Sequence, residues 1–354
     1  MILALPHNVD KEWHFLHQKR ILVFAIFKIK NKTKLNVAFG SDQQSMTLLS
    51  VENLNVVYPT DEGLVRAVQN LSFDVNTGES IGIVGESGCG KTTLGLSIIR
   101  TILGGNIESG DISIDNQSIL KLTEQEFDSD YRWKKISMIF QGAMNSLDPV
   151  YTVYDQLSGI LKQHASNDDD LVKTLLSNVG LDESVLAKYP HELSGGMKQR
   201  VIIAMALLLK PKLIIADEPT TALDVLVQSQ ILNLFKSLKK QSVSFVVISH
   251  DLGVISEICE KIGIMYAGQM IEFGTSEQIL KNPQHPYTKA LLKSIPKLGA
   301  SEKPNFITGE PPSLIEPKVG CRFASRCPDV MKKCEMDPNY TENESGYVRC
   351  WLYE

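Results

Sequence analysis

No apolar run in this 354-residue chain approaches the roughly 20 residues that a membrane-crossing helix needs. The longest, Val201-Ile202-Ile203-Ala204-Met205-Ala206-Leu207-Leu208-Leu209, reads as a buried helix. Cysteine is scarce: six residues in a chain of this length are too few for a disulfide scaffold. A basic excess is missing too, since 36 Lys and Arg face 41 Asp and Glu for a net charge of −5, which gives no reason to expect nucleic acid as the main partner. What is present is ordinary for a soluble globular protein, with 43% hydrophobic and 22% charged residues and a length that suggests about two domains.

The chain is organised around Gly85-Glu86-Ser87-Gly88-Cys89-Gly90-Lys91-Thr92. The apolar run Ile81-Gly82-Ile83-Val84 precedes it, and the helix-like Thr93-Leu94-Gly95-Leu96-Ser97-Ile98-Ile99 follows. Strand, glycine-rich loop and helix form the setting in which G-x-x-x-x-G-K-[ST] binds phosphate. The glycines let backbone N–H groups turn towards one anion, and the helix N-terminus adds its positive end. Lys91 is placed to reach β- and γ-phosphates, and the Thr92 hydroxyl to ligate Mg²⁺. Cys89 sits inside this loop, near a helix N-terminus expected to favour its thiolate, so its alkylation is expected to block nucleotide binding and bound nucleotide to protect it.

Residues 1–45 are rich in Lys and Arg and fit a signal peptide poorly, because the short run Ile21–Phe27 is closed at once by Lys28. They read as a dispensable extension, with Met46 opening the first strand. From Leu48 to about Gln117 short alternating segments predict an antiparallel layer. Helical periodicity dominates between about Val150 and Lys210. Leu213-Ile214-Ile215-Ala216 and Phe245-Val246-Val247-Ile248 read as buried parallel strands. After about Thr275 prolines and then cysteines mark a separate C-terminal module, giving boundaries at 46–275 and 276–354.

Asp217-Glu218 end an apolar strand, where an Asp can hold Mg²⁺ and a Glu can polarise water, or both can simply cap a turn. In Leu193-Ser194-Gly195-Gly196-Met197-Lys198-Gln199-Arg200, Ser194 is placed as an N-cap, and the glycines leave N–H groups uncovered for a second anion. The Gly85–Thr92 loop, Gln141, Leu193–Gln199, Leu213–Glu218, Ala222-Leu223-Asp224 and His250 occur in one order and spacing. From about Val51 to Gly274 the sequence thereby resembles an ATP-binding cassette (ABC) ATPase.

That resemblance implies an α/β fold: a P-loop core with an antiparallel β subdomain and a helical subdomain, plus a small cysteine-containing C-terminal module. It implies ATP and Mg²⁺ as cofactors, with Gly85–Thr92 and Thr93 on the phosphates. Tyr58 resembles the aromatic that stacks on adenine, its alternative being a strand residue packed on the core. Gln141 matches a glutamine that touches Mg²⁺ and senses membrane subunits, although Gly142-Ala143 depart from the usual acidic residue and proline. Glu218 resembles the general base and His250 the histidine that holds the γ-phosphate. Ser194, Gly195 and Gly196 are implied to reach the ATP of an opposite subunit, so hydrolysis needs a dimer.

Asn282-Pro283-Gln284-His285-Pro286-Tyr287-Thr288-Lys289-Ala290-Leu291-Leu292 resembles the hallmark of ATPases serving oligopeptide, dipeptide and nickel importers. Ser194–Arg200 together with Met265-Tyr266-Ala267-Gly268 resembles the D-type subunit, which normally pairs with a related F-type ATPase, a self-dimer being the alternative. The implied machine has two separate membrane permeases and an extracellular binding protein, with this chain on the cytoplasmic face. Its cargo is di- or oligopeptide, with nickel or sugar as alternatives; a soluble cassette acting on DNA or ribosomes is the competing class. His285, between prolines, reads as ordering a loop rather than binding metal. Cys321, Cys327, Cys334 and Cys350, separated by five, six and fifteen residues, admit a disulfide pair, a four-cysteine zinc site or an iron–sulfur cluster. The resemblance implies a structural [4Fe–4S] cluster. Cys259, at helical spacing, reads as core.

Overall fold

The computed structural model describes residues 46–142, 146–163, 169–221, 223–294 and 307–354. The extension expected over 1–45, Ala143 beside Gln141, and Ala222 lie outside these.

The alternating segments near the start form β1 (Thr47–Thr60), β2 (Gly63–Asn76), β4 (Asn106–Ile114) and β5 (Gln117–Ser118). These pair as a four-stranded antiparallel sheet in the order β2-β1-β4-β5. The continuous apolar runs become β3 (Ser80–Val84), β6 (Ile136–Ile139), β7 (Leu213–Asp217) and β8 (Ser244–Ile248), each buried along its whole length. Burial on both faces explains why these strands lack polar alternation. They are parallel, with Ile83 opposite Ile248, Asp217 opposite Ile248 and Ile139 opposite Ala216.

Strand β9 (Lys261–Tyr266) runs parallel to β3, and β10 (Gln269–Thr275) returns antiparallel beside it. The short β11 (Thr341–Asn343) and β12 (Gly346–Val348) then extend the same sheet, Glu272 pairing with Val348. The result is an eight-stranded sheet in the order β11-β12-β10-β9-β3-β8-β7-β6. The expected C-terminal module therefore does not stand apart in its backbone pairing. Its Tyr287 and Phe323 are also buried in the same core cluster as residues of β7 and β8.

Two apolar layers sandwich the large sheet. One joins it to the four-stranded sheet and to α1 (Lys91–Ile98) and α2 (Glu124–Asp130). The other joins its opposite face to the helical stretch, which contains α3 (Val153–Gln163), α4 (Asp169–Asn178) and α5 (Gly195–Leu207). That layer also takes in α6 (Val225–Lys239), α7 (Leu252–Ile258), α8 (Ser276–Lys281) and α9 (Pro286–Lys293). Cys259 caps the C-terminus of α7 and is buried, as helical spacing predicts.

Candidate functional site

Parallel strands end on one edge of their sheet, so whatever follows them is gathered there. The residues after β3, β6, β7 and β8 carry the Gly85–Gly90 loop, Gln141, Glu218 and His250 respectively. A cleft of about 540 Å³ at this edge is lined by Tyr58, Ser87, Gly88, Gly90, Lys91, Thr92, Thr93, Gln141, Asp217, Glu218 and His250. The sequence motifs thus meet in one place. Gly85, Glu86 and Cys89 belong to the loop but do not line the cleft.

Gly90 turns the loop into α1 with φ of 101°, and a Cβ there would lie 2.1 Å from the Ala67 carbonyl oxygen. Only glycine fits that turn. Lys91, 8% exposed, bends back so that Nζ donates to the carbonyls of Gly85 (2.7 Å) and Glu86 (2.9 Å). Its ammonium lies beside the Cys89 sulfur at 3.8 Å. The expected thiolate at Cys89 is corrected: the side chain is 4% exposed, and burial pushes its thiol up despite Lys91. Desolvation of the anion outweighs the neighbouring cation and the helix end.

Asp217 is buried, and neither of its carboxylate oxygens accepts a hydrogen bond. Burial pushes its carboxyl up, while the Thr92 hydroxyl and Lys91 oppose that shift and Glu218 adds to it. An unpartnered buried carboxylate beside the Thr92 hydroxyl suits an arriving cation. Glu218 is held at φ of 50°, a left-handed conformation rare for this residue type. Its carboxylate accepts the Thr221 hydroxyl at 2.7 Å and the His250 backbone N–H at 3.2 Å, and lies 2.8 Å from His250 Nδ1. The glutamate side chain is 9% exposed and the histidine 67%, so a fixed carboxylate sits behind an imidazole open to solvent at the rim.

Tyr58 is half-buried in β1, with its hydroxyl 3.4 Å from that of Thr93. It packs on the apolar layer, as the core alternative expects, and also lines the cleft. Ser194 caps α5 by accepting the Met197 N–H at 3.3 Å. Ser194, Gly195 and Gly196 do not line this chain's own cleft. A bond from Gln199 Nε2 to the Pro219 carbonyl, 2.8 Å, ties the same helix to the segment after Glu218.

The four C-terminal cysteines are free thiols that share the lining of one small cavity with His285. Burial pushes the Cys321 thiol up to about 11 and raises Cys327 and Cys350. Among the described residues, no group of three or more His, Cys, Asp or Glu is disposed to hold a metal ion. The disulfide alternative is absent here, and the metal expectation finds convergence but no coordination shell. His285 is the N-cap of α9, its Nδ1 accepting the Tyr287 N–H at 3.0 Å. That is the loop-ordering role expected of it.

Sequence reasoning missed Thr221, which braces Glu218 and lies only three residues beyond it. It also missed Leu314, which lines the cleft from far down the chain with no local motif to mark it.

The family model described as "ABC transporter" matches residues 68–221, and one described as "Oligopeptide/dipeptide transporter, C-terminal region" matches residues 271–334. The dipeptide transport ATP-binding protein DppD of Bacillus subtilis is 44% identical over 321 residues, covering 87% of this chain and 95% of that protein. The oligopeptide transport ATP-binding protein OppD of Haemophilus influenzae is 42% identical, covering 86% and 97%. Among solved structures, the dimeric ATP-binding cassette MJ0796 with ADP and Pi superposes with a TM-score of 0.58 at 28% identity, over 65% of this chain and 99% of that one. CbiO1 from Clostridium perfringens gives 0.59 at 28% identity, over 67% and 91%. With a cassette fold, a convergent phosphate-loop cleft and these relatives over most of its length, the chain belongs to the ABC transporter family, as one of its ATP-binding subunits.

Proposed function

We propose that this chain is the ATP-hydrolysing subunit of an importer for di- or oligopeptides. The observation that carries the reading is the gathering of Lys91, Thr92, Asp217, Glu218 and His250 around one cleft at the edge of the parallel strands. ATP lies with its phosphates on the Gly85–Thr92 loop and its base towards Tyr58. Thr92, Gln141 and Asp217 would hold Mg²⁺, which would supply charge neutralisation for phosphoryl transfer. Glu218 accepts the proton of the attacking water, and His250 fixes the γ-phosphate end. Ser194, Gly195 and Gly196 complete the site of a second subunit, the supporting observation being their separation from this chain's own cleft.

The peptide cargo rests on the names of the B. subtilis and H. influenzae relatives and on the C-terminal match. The partner subunit is a related F-type ATPase or a second copy of this chain, and the pair docks on two membrane permeases at the cytoplasmic face, fed by an extracellular binding protein. Among the described residues no helix is long and apolar enough to cross a membrane, in keeping with separate permease chains. Residues 46–275 form the cassette and 276–354 the addition to it. Cys321, Cys327, Cys334 and Cys350 would hold a structural [4Fe–4S] cluster, with zinc the alternative; their shared cavity is the support. Iron and sulfide assays on anaerobically purified protein separate the two. Reconstituting the chain with its permeases in liposomes tests the main reading. ATP-dependent uptake of a labelled dipeptide is expected, and ATP hydrolysis without uptake of any peptide excludes the cargo assignment.

A further inference from the structure

The phosphate loop carries an acidic residue, Glu86, which is a poor neighbour for a triphosphate. Its carboxylate is gripped by Arg326 through two parallel bonds, Nη1 to Oε2 at 2.9 Å and Nη2 to Oε1 at 3.0 Å. The Arg326 side chain is 5% exposed and that of Glu86 25%, so this is a largely desolvated pair. The guanidinium is itself fixed by the carbonyls of Thr308 (3.0 Å) and Ile307 (3.3 Å) and by the Tyr266 hydroxyl (3.2 Å). The Glu86 backbone N–H donates to the Tyr287 hydroxyl at 3.1 Å. Tyr287 is fully buried, with ring centroids 4.6 Å from Tyr266 and 5.4 Å from Phe323. The remaining polar group, the Glu86 carbonyl, accepts from Lys91. One residue between flexible glycines is therefore held at every polar group, and two of the three grips come from beyond residue 285.

The same C-terminal stretch builds a wall of the cleft. The Arg66 N–H donates to the Leu314 carbonyl at 2.8 Å and the Glu316 N–H to the Leu64 carbonyl at 3.1 Å. These bonds set Leu314 into the cleft wall that Val65 and Tyr58 share.

We propose that Arg326 and Tyr287 are positioning residues for nucleotide binding: Arg326 masks the negative charge of Glu86, and both hold the phosphate loop in its anion-binding shape. This rests on the ATP-site reading above. A bidentate Arg–carboxylate pair fixes geometry as well as charge, and a preorganised loop spares the ordering cost on binding. Losing Arg326 leaves the Glu86 carboxylate, one residue before the cleft-lining Ser87, without its counter-charge and frees the loop. A scaffold residue that only supported folding would lower stability without that electrostatic signature.

The test is the affinity of the full-length chain for a fluorescent ATP analogue, with KM, kcat and Tm measured alongside. Arg326→Ala is expected to raise Kd and KM about tenfold, equivalent to about 1.4 kcal/mol, with kcat within about twofold. Adding Glu86→Gln to that variant is expected to recover most of the lost affinity, because it removes the unmasked charge. Tyr287→Phe deletes one oxygen from a buried ring and is expected to raise Kd about threefold; it decides the question if Arg326→Ala does not fold. Unchanged Kd in folded variants, or no rescue by Glu86→Gln, overturns the proposal while leaving the ATP site intact. Failure of the wild-type chain to bind the analogue at all overturns both.

Discussion

At the residue scale, Glu218 and Asp217 are adjacent carboxylates in opposite surroundings. Asp217 is buried beside the Thr92 hydroxyl with neither oxygen in a formed hydrogen bond, whereas Glu218 is fixed by Thr221 and by the backbone of His250. That contrast suits one to a metal and the other to a proton. Glu218→Gln keeps the hydrogen-bonding shape and removes the base. It is expected to retain ATP binding within about threefold while turnover falls by at least about a hundredfold, a loss within the range for a positioned general base. Unaltered turnover would remove Glu218 from the mechanism. The two residues were legible in the sequence because an apolar strand ended on them. The protonation preference of Cys89 was not, since a helix N-terminus is visible in a sequence but the packing that dries a thiol is not. At neutral pH the native protein is expected to label at Cys89 with iodoacetamide at least about tenfold more slowly than after urea unfolding, because burial favours the unreactive thiol. Equal rates would show an open thiol.

Among the elements, the junction of loop and α1 is the least forgiving. A Cβ at Gly90 would meet the Ala67 carbonyl of β2 and would also carry an unfavourable φ. Gly90→Ala is expected to cost about 2–3 kcal/mol of stability and to abolish nucleotide binding, read by denaturant melts and the ATP analogue. Wild-type stability would mean that the loop can re-form elsewhere. Element types were largely readable. Buried strands such as β7 and β8 appear as unbroken apolar runs, and α5 announces itself by the Ser194 cap. Short strands such as β5 and β12 were not, because two or three residues carry no periodicity and pair only where tertiary structure brings a partner.

Over the whole molecule, this chain gathers one phosphate-loop cleft, and on the proposed reading Ser194–Gly196 serve the cleft of a second subunit. Glu218→Gln with ATP and Mg²⁺ is therefore expected to shift the purified chain towards a dimer in analytical ultracentrifugation. Ser194→Ala, at a cost of about 1 kcal/mol for the lost cap, is expected to weaken that shift. A dimer indifferent to nucleotide would refute the shared-site arrangement. The cassette order was legible from the spacing of its motifs. The attachment of the C-terminal region was not: prolines and cysteines after Thr275 suggested a break, yet β12 pairs with β10 and Phe323 enters the common core. Such joins depend on contacts between residues remote in sequence, for which one sequence offers no local signal.

The grip of Arg326 on Glu86 spans 240 positions of the chain. Contacts of such separation form late, after the intervening elements have condensed. A ribosome releases the guanidinium long after the loop it completes. A nascent or prematurely ended chain would thus carry a finished-looking phosphate loop that is slack and locally acidic. On the proposed role of Arg326, full affinity for nucleotide then waits until that residue has been made.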